Sequence, residues 1–577
     1  MQIKLPPIIF SFLCFSASAQ YFTKVTNSAI ALDSGDSRSV NWVDVNNDGF
    51  IDCFISNGQF GGQNNNLYLN NGAGGFTKVM NDTIVKDGDP SDGATFADVD
   101  NDGDLDAFVA NWYGINNLMY TNDGVGNFTK VGTGIQVSDL GYSETAAWGD
   151  YDKDGFVDLY VCNSAGNRKN FLYHSNGDGT YTKITTGTIV NDQFFSRCAN
   201  WTDIDNDGDL DMFVSNENNN NENIYRNDGS GTFVKLTAGP LLTNGDSTMS
   251  GSWADYDNDG DLDVFLANDR SYNALFRNDG NFVFVKVAAD TVSRTRSNSF
   301  SSAWSDVDND GDQDLFVTNS FAGTQLLNYF YINNGDGTFT RNSSDAITTD
   351  LAWSYGCAFG DYDNDGFEDL AVATCRYNNI DRPHLLYHNN TNSNHWATFL
   401  LTGTISNRSA IGARIYVKAA INGNPVWQMR EISAQSSYCG QNDMRAHFGL
   451  GNATSIDSVK ITWPLGLTEY YTGIAADQFV GYVEGATVGI KENSKKQKLQ
   501  LFPNPADQLV TVSYAKEFAS KDKIIILTME GKVVAEIATG EAKQVQLDIK
   551  KYNLKPGAYT IMLVSGNTVA SDTLIVK

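Results

Sequence analysis

Positive charge is scarce in this 577-residue chain: 40 Lys and Arg stand against 69 Asp and Glu, a formal net charge of −29. A deficit of that size excludes the basic footprint that binding to nucleic acid requires and docking on an anionic membrane surface. Long apolar runs are missing except at the extreme N-terminus, which excludes a transmembrane helix. Proline is rare, ten residues against 53 Gly, so tight turns punctuate the chain. Histidine occurs five times, as His174, His384, His388, His395 and His447, and no CxxC or Cys/His cluster has zinc spacing. His384 and His388 lie near each other, but at a strand-like interval with no third ligand. There is no GxSxG, HExxH or P-loop. What is present, 41% hydrophobic and 12% aromatic residues, is enough to build cores.

The acid is unevenly placed. From Lys491 onward there are 13 Lys and 9 acidic residues, leaving 27 basic and 60 acidic residues in the first 490. Lys4, the apolar stretch Leu5 to Phe15 and the small residues Ala17-Ser18-Ala19 read as a secretory leader over 1–19. Six cysteines follow it: Cys53, Cys162, Cys198, Cys357, Cys375 and Cys439. Export permits a Cys357–Cys375 disulfide, and six free buried thiols is the competing expectation.

One pattern dominates the remainder. Asp44-Val-Asn46-Asn-Asp48-Gly49-Phe-Ile-Asp52 recurs from Asp98, Asp150, Asp203, Asp255, Asp306 and Asp361, making seven copies 51 to 55 residues apart. An aromatic precedes each first Asp by two residues, from Trp42 to Phe359. An apolar residue follows it by eleven, from Ile55 to Val372. Alternation on both sides reads as strand, loop, strand. Each unit then adds two strands joined by an Asn-Gly or Asp-Gly turn, as in Leu67 to Gly72 followed by Phe76 to Val79. Four strands per unit, repeated radially, make propeller blades. The seventh unit lacks its outer strand, while a spare copy, Phe22-Thr-Lys-Val25, stands at the N-terminus. We expect it to complete the seventh blade and close the ring; an open solenoid is the competing arrangement.

Oxygen ligands at positions 1, 3, 5 and 9 with Gly at 6 suit a hard cation that wants six to eight oxygens. The predicted calcium ligands are Asp44, Asn46, Asp48 and Asp52; Asp98, Asp100, Asp102 and Asp106; Asp150, Asp152, Asp154 and Asp158; Asp203, Asp205, Asp207 and Asp211; Asp255, Asp257, Asp259 and Asp263; Asp306, Asp308, Asp310 and Asp314; and Asp361, Asp363, Asp365 and Asp369. An EF-hand is excluded because position 12 is apolar throughout instead of a bidentate Glu. The competing reading is a solvated acidic turn. At 1 mM calcium and a dissociation constant near 10⁻⁴ M, each site adds about 1.4 kcal/mol, so up to seven ions have a structural role.

These repeats resemble the FG-GAP/VCBS repeats of integrin α-subunit propellers and many secreted bacterial proteins. The resemblance implies calcium on one face and ligand on the other. Beyond it, Asn394-His-Trp396, Ser406-Asn-Arg408, Ala410 to Arg414, Phe448-Gly-Leu-Gly451 and Trp463-Pro-Leu-Gly466 resemble an ASPIC/UnbV domain. Arg408 and Arg414 there read as partners of nearby acids, with an anion site as the alternative. Leu501-Phe-Pro-Asn-Pro505, Gly531-Lys532 and Leu554 to Tyr559 resemble the type A C-terminal sorting domain of the type IX secretion system, which implies that machinery as a partner. The expected chain is all-β, a seven-bladed propeller followed by two small β-sandwich-like domains. Its parts are a leader (1–19), the propeller (20–393), the ASPIC/UnbV-like domain (394–485), a linker (486–498) and the sorting domain (499–577).

If the acidic loops join the first two strands of each blade, the loops after the second strands form the opposite face. They are rich in Asn, with Trp112, Tyr113, Arg168, Arg270, Tyr272, Arg376 and Tyr377 interspersed. Amides and flat aromatics suit a glycan; Asn used for turn chemistry is the plainer explanation. The expected function is extracellular binding or adhesion to a glycan or protein, without catalysis. The alternative is a secreted carbohydrate-active enzyme, a polysaccharide lyase or glycosidase, on the same scaffold.

Overall fold

The computed structural model describes residues 20–288, 290–486, 500–506, 508–513, 523–528, 533–539, 544–552, 554–565 and 568–577. The expected leader, nearly all of the expected linker and Gly531-Lys532 lie outside them. Among the described residues the fold is almost entirely β, and its three α-helices have four residues each. Contacts divide the chain into two compact units, one ending at Gly485 and one beginning at Ala486.

Seven sheets, each with four antiparallel strands, fill most of the first unit, and the first of them is extended by a fifth, parallel strand, Gly440–Gln441. The first sheet runs Ser37–Val43, Asp52–Asn57, Asn66–Asn70 and Phe76–Lys78. The next five repeat that order, beginning with the strands Ser91–Ala97, Ser143–Gly149, Ser196–Thr202, Thr248–Ala254 and Ser299–Ser305. The seventh has Ser354–Gly360, Asp369–Thr374 and Leu385–Asn389. Its fourth strand is Phe22–Val25, paired antiparallel with Phe22 opposite Asn389. That is the pairing expected from the spare N-terminal copy. The first strands pack side by side in chain order, and Ser354–Gly360 packs on Ser37–Val43. Each aromatic before an acidic loop is partly or fully buried between neighbouring sheets; Trp42 and Trp148 are fully buried, and Trp42 Nε1 donates to Ala358 O at 3.1 Å.

Residues 395–483 form two further sheets. One has Ala446–Gly451, His395–Thr402 and Gln478–Val483; the other has Asn424–Glu431, Arg414–Ile421, Ser455–Thr462 and Thr468–Tyr471. They share one apolar core that includes Phe399, Ile415, Val417, Phe448, Ile461 and Trp463. From this domain the segment 434–442 runs along the first strands and bonds to all seven sheets. Val40 N–H donates to Cys439 O at 3.1 Å, and Gln441 pairs with both the N–H and C=O of Phe96 at 2.8 and 3.0 Å. Tyr438 donates to Glu144 at 2.7 Å, and its N–H reaches Ser250 Oγ at 3.0 Å. Asn200 donates to Gln435 O at 3.1 Å, Ser437 meets Ser301 at 2.9 Å, and Phe359 N–H donates to Asn442 at 3.0 Å. The approach is so close that a Cβ at Gly356 would stand 2.0 Å from Cys439 O, which only glycine permits.

The second unit packs Gln500–Phe502, Leu509–Ser513 and Gln544–Asp548 in one sheet and Lys523–Thr528, Val533–Ala538, Gly557–Ser565 and Thr568–Val576 in another. Val510, Val512, Ile524, Ile526, Leu547, Ile561 and Leu574 form the core. All six cysteines from Cys53 to Cys439 are free and buried, so Cys357 and Cys375 are not bridged.

Candidate metal centres and the opposite loop face

Each acidic run joins the first and second strands of its sheet, and its conformation is dictated by the two residues that tolerate a left-handed backbone. Position 4, Asn in six loops and Lys153 in the third, has φ between 55° and 63°; the Gly at position 6 has φ between 87° and 105°. With the chain so turned, both oxygens of the first Asp face inward along it. One accepts the N–H of position 5 at 3.0–3.2 Å and the other the N–H of the Gly at 2.7–3.1 Å, in all seven copies.

The ninth-position Asp is buried and does a second job. It accepts the N–H of position 2 at 3.1–3.3 Å and an N–H at the end of the third strand at 2.7–2.8 Å. Its carboxylate therefore ties loop to strand.

Carboxylate oxygens at positions 1, 3 and 9 converge within 4.8 Å in the second, third and fourth loops: Asp98, Asp100 and Asp106; Asp150, Asp152 and Asp158; Asp203, Asp205 and Asp211. Burial pushes these acids upward: Asp98 to about 7, Asp106 and Asp211 to about 8, Asp263 to about 9. At position 3, one oxygen each of Asp152, Asp205, Asp257, Asp308 and Asp363 is buried without a hydrogen-bond partner. An orphaned buried oxygen costs about 1–3 kcal/mol, and a solvated acidic turn would have no reason to bear that cost five times over. The donor set at positions 1, 3, 5 and 9 is all oxygen and rich in carboxylate, which fits a hard divalent cation.

Two loops also hold a histidine that spacing alone did not connect with them. His174 Nδ1 lies 3.2 Å from Asp152 and 3.1 Å from Asp158; His388 Nε2 lies 3.0 Å from Asp363. Each stands next to the end of its third strand, one residue before the N–H that the ninth Asp accepts. His384 does not join His388: it is buried with neither ring nitrogen bonded, and burial pulls its pKa down to about 4.

Neighbouring loops are latched to one another. The position-4 side chain of every loop reaches the next: Asn47 to Asp104, Asn101 to Gly155 O, Lys153 to Asp209, Asn206 to Asp261, Asn258 to Gly311 O, Asn309 to Gly366 O, and Asn364 back to Gly49 O. A second latch comes from the Asn ending each third strand except the third sheet's. Asn70, Asn122, Asn227, Asn278, Asn333 and Asn389 each donate to a carbonyl of the preceding loop at 2.6–2.9 Å. The sequence marks these Asn only as part of a hairpin turn.

The second domain packs on this ring of loops. Arg414 is buried against Glu431 at 2.9 Å and Asp203 at 3.4 Å, as expected of a paired cation. Arg445 donates to Asp361 O and Asn364 at 3.0 and 2.9 Å, Arg408 N–H to Asn101 at 2.8 Å, and Gly449 N–H to Asp306 at 3.1 Å.

On the opposite face most of the amides serve the loops themselves. Asn57, Asn111, Asn163, Asn216, Asn268 and Asn319 each donate to a carbonyl of their own loop at 2.7–3.0 Å. The predicted contact residues are dispersed. Arg168 covers the Phe195 ring at 4.5 Å, and Arg376 pairs with Asp381 at 2.6 Å. Tyr377 packs edge-on against Trp353 at 4.9 Å, and Tyr272 is 55% exposed. Only Trp112, Tyr113 and Arg270 of the seven line a common cavity, of about 370 Å³. Its other walls include the residue six before the first Asp in all seven units, from Arg38, Asp92, Glu144 and Arg197 to Tyr355; the position repeats but its residue type does not.

Models of known families match the chain in three places. An FG-GAP-like repeat matches 44–109, 98–161, 203–266, 255–317 and 306–372; ASPIC and UnbV matches 403–497; a secretion system C-terminal sorting domain matches 500–577. Cartilage acidic protein 1 of Mus musculus is 27% identical over 266 residues, 44% of this chain and 40% of that one; its Homo sapiens counterpart is 26% identical over 265 residues. The match thus spans about two-fifths of these relatives' length. Their name records an acidic protein of cartilage. Among solved structures, an Agrocybe aegerita lectin that recognises non-reducing terminal N-acetylglucosamine has a TM-score of 0.39 and 14% identity, over 65% of this chain and 94% of that one. BBS1N in complex with ARL6DN also has a TM-score of 0.39, with 12% identity over 63% and 96% of the two chains. The chain carries FG-GAP-like repeats, an ASPIC and UnbV domain and a type IX secretion sorting domain.

Proposed function

We propose that the chain is an exported, calcium-stabilised seven-bladed propeller that binds a glycan or protein outside the cell, in an adhesive role. The observation that carries this reading is the ring of acidic loops. Seven copies hold inward-facing carboxylates, five of them with an orphaned buried oxygen, and every loop is latched to the next until Asn364 returns to Gly49. Calcium in up to seven of them, held by the side chains at positions 1, 3, 5 and 9, would neutralise acids that burial otherwise penalises.

Blade closure is supported by Phe22–Val25 joining the seventh sheet and by first strands whose neighbour order comes back to its start. The propeller then occupies 20–393, the ASPIC/UnbV-like domain 394–485, a linker 486–498 and the sorting domain 499–577. The sorting domain supports export by the type IX machinery to the cell surface or beyond, with 1–19 as the leader that precedes it. Among the described residues no helix is long and apolar enough to cross a membrane. With the second domain packed on the acidic loops, the opposite face, bearing Trp112, Tyr113, Arg168, Arg270, Tyr272, Arg376 and Tyr377, is the one left for a ligand.

The test is an array of polysaccharides and matrix proteins probed with the chain from residue 20, in millimolar calcium and again after chelation. Calcium-dependent retention by one class of ligand is expected. Failure to bind either class, while chelation still lowers the melting temperature, would remove the binder and leave the calcium ring.

A further inference from the structure

The second domain reaches through the ring to the cavity on the far face. Tyr438, in the inserted segment, hydrogen-bonds Tyr355 Oη at 2.6 Å and Glu144 at 2.7 Å, and Arg197 reaches its hydroxyl at 3.3 Å. Tyr355, Glu144 and Arg197 all line the cavity of about 370 Å³ that holds Trp112, Tyr113 and Arg270. The position of its floor is therefore set by a residue of another domain.

The chemistry of the walls selects an occupant. The cations are already matched: Arg38 binds Asp36 through two nitrogens at 2.7 and 3.2 Å, Arg197 bridges Glu144 and Glu217 at 2.6 and 2.7 Å, and Arg270 faces Asp269 at 3.4 Å. Burial and the adjacent Glu144 push Asp92 well above the carboxylate range, while Arg38 Nε lies 3.9 Å from it. No surplus positive charge is left for an anion. Two polar atoms remain orphaned and buried, Arg197 Nε as a donor and Asp269 Oδ1 as an acceptor. Trp112, Tyr113 and Phe321 supply flat apolar surface in the same cavity. A hydroxyl both donates and accepts, and a pyranose ring carries several of them around an apolar face that stacks on aromatics. The volume falls in the range of small-ligand sites.

We propose that this cavity binds the terminal residue of a neutral glycan and that the ASPIC/UnbV-like domain is part of the site, because its Tyr438 fixes the cavity floor. The inference rests on the extracellular-binder reading and narrows it to one ligand class and one place.

The experiment uses the full mature chain in calcium. Saturation-transfer NMR is run with methyl α-mannoside, methyl β-galactoside, methyl α-fucoside and N-acetylglucosamine, with glucuronate as the anionic comparator. At least one neutral sugar should saturate, and better than glucuronate. Asp269→Asn, which keeps the shape of the side chain, should weaken it at least tenfold, Trp112→Ala should abolish it, and Tyr438→Phe should weaken it at least threefold. A calcium-dependent melting temperature within 2 °C of the parent certifies each variant; if Trp112→Ala fails that standard, Asp269→Asn carries the test. No saturation by any neutral sugar, or preference for glucuronate, overturns the proposal while leaving a protein-binding propeller intact. Binding that Tyr272→Ala removes and Asp269→Asn leaves unchanged also overturns it, and keeps glycan binding elsewhere on the face.

Discussion

Asp211 illustrates how one side chain serves both a loop and a strand. It is a candidate calcium ligand, and it accepts the N–H groups of Ile204 and Asn227 at 3.1 and 2.8 Å from a buried position. Asp207, four residues earlier, is exposed. Asp211→Ala should cost about 2–3 kcal/mol without calcium, since it orphans two amides, and about 1.4 kcal/mol more in 1 mM calcium. Asp207→Ala should cost about 1.4 kcal/mol in 1 mM calcium and almost nothing after chelation. Paired denaturant melts separate the two; equal losses in chelator would contradict the division of labour. The titration of the loops gives a second test. Burial holds Asp98 near 7, Asp106 near 8 and Asp263 near 9 in the folded chain, against about 3.9 when unfolded. Between about pH 4 and pH 8 the calcium-free folded state thus binds more protons than the unfolded one. Its stability is full below pH 4 from these groups and is lost as pH rises through their folded values. The calcium-free protein should therefore melt higher at pH 5.5 than at pH 8, and saturating calcium should remove or reverse that order, because the bound ion favours the anionic form. Calcium binding at pH 7 should release protons, measurable as a dependence of calorimetric heat on buffer ionisation enthalpy.

At the scale of the element, the joints between the seventh and first sheets include the strand Phe22–Val25 and the latches from Asn70 to Tyr362 O and from Asn364 to Gly49 O. A chain beginning at residue 27 leaves the edge of Leu385–Asn389 unpaired, and open edges recruit other chains. It should aggregate in size-exclusion chromatography under conditions where the longer chain elutes as one species. Asn70→Leu keeps the volume but orphans Ile51 O and Tyr362 O, so a loss of about 2 kcal/mol is expected; a loss no greater than that of a surface change would argue against a closed, latched ring. The strands and the acidic loops were legible in the sequence because both impose a short period: alternation for the sheet, and positions 1, 3, 5 and 9 for the loop. The latches were half legible. Asn at position 4 and Asn before Gly in the hairpin recur visibly, but a residue chosen for a left-handed turn looks the same as one that also reaches its neighbour. His174 and His388 were hidden because each meets its loop from another strand, 16 and 25 residues away from Asp158 and Asp363.

At the scale of the molecule, the least legible feature is the segment 434–442. Gln441 meets Phe96, 345 residues earlier, through bonds that any polar residue in any loop could make, so nothing local announces the insertion. The cavity behind it was hidden for another reason: Arg38, Asp92, Glu144 and Arg197 share one place in the repeat, six residues before the first Asp, but the residue type there changes from unit to unit and so forms no motif. What the sequence did display was a charge imbalance concentrated in the repeats, and the structure gives that imbalance a place: one ring of loops, latched around its circumference and covered by the second domain. The central claim is that cations hold this ring. Metal analysis of the mature chain after dialysis against 1 mM calcium, with a melting curve before and after chelation, tests it most directly. The account predicts at least five and up to seven calcium ions per chain and a melting temperature that falls by 10 °C or more on chelation, recovering when calcium is restored. Fewer than two ions per chain, with a melting temperature unmoved by chelation, would contradict it.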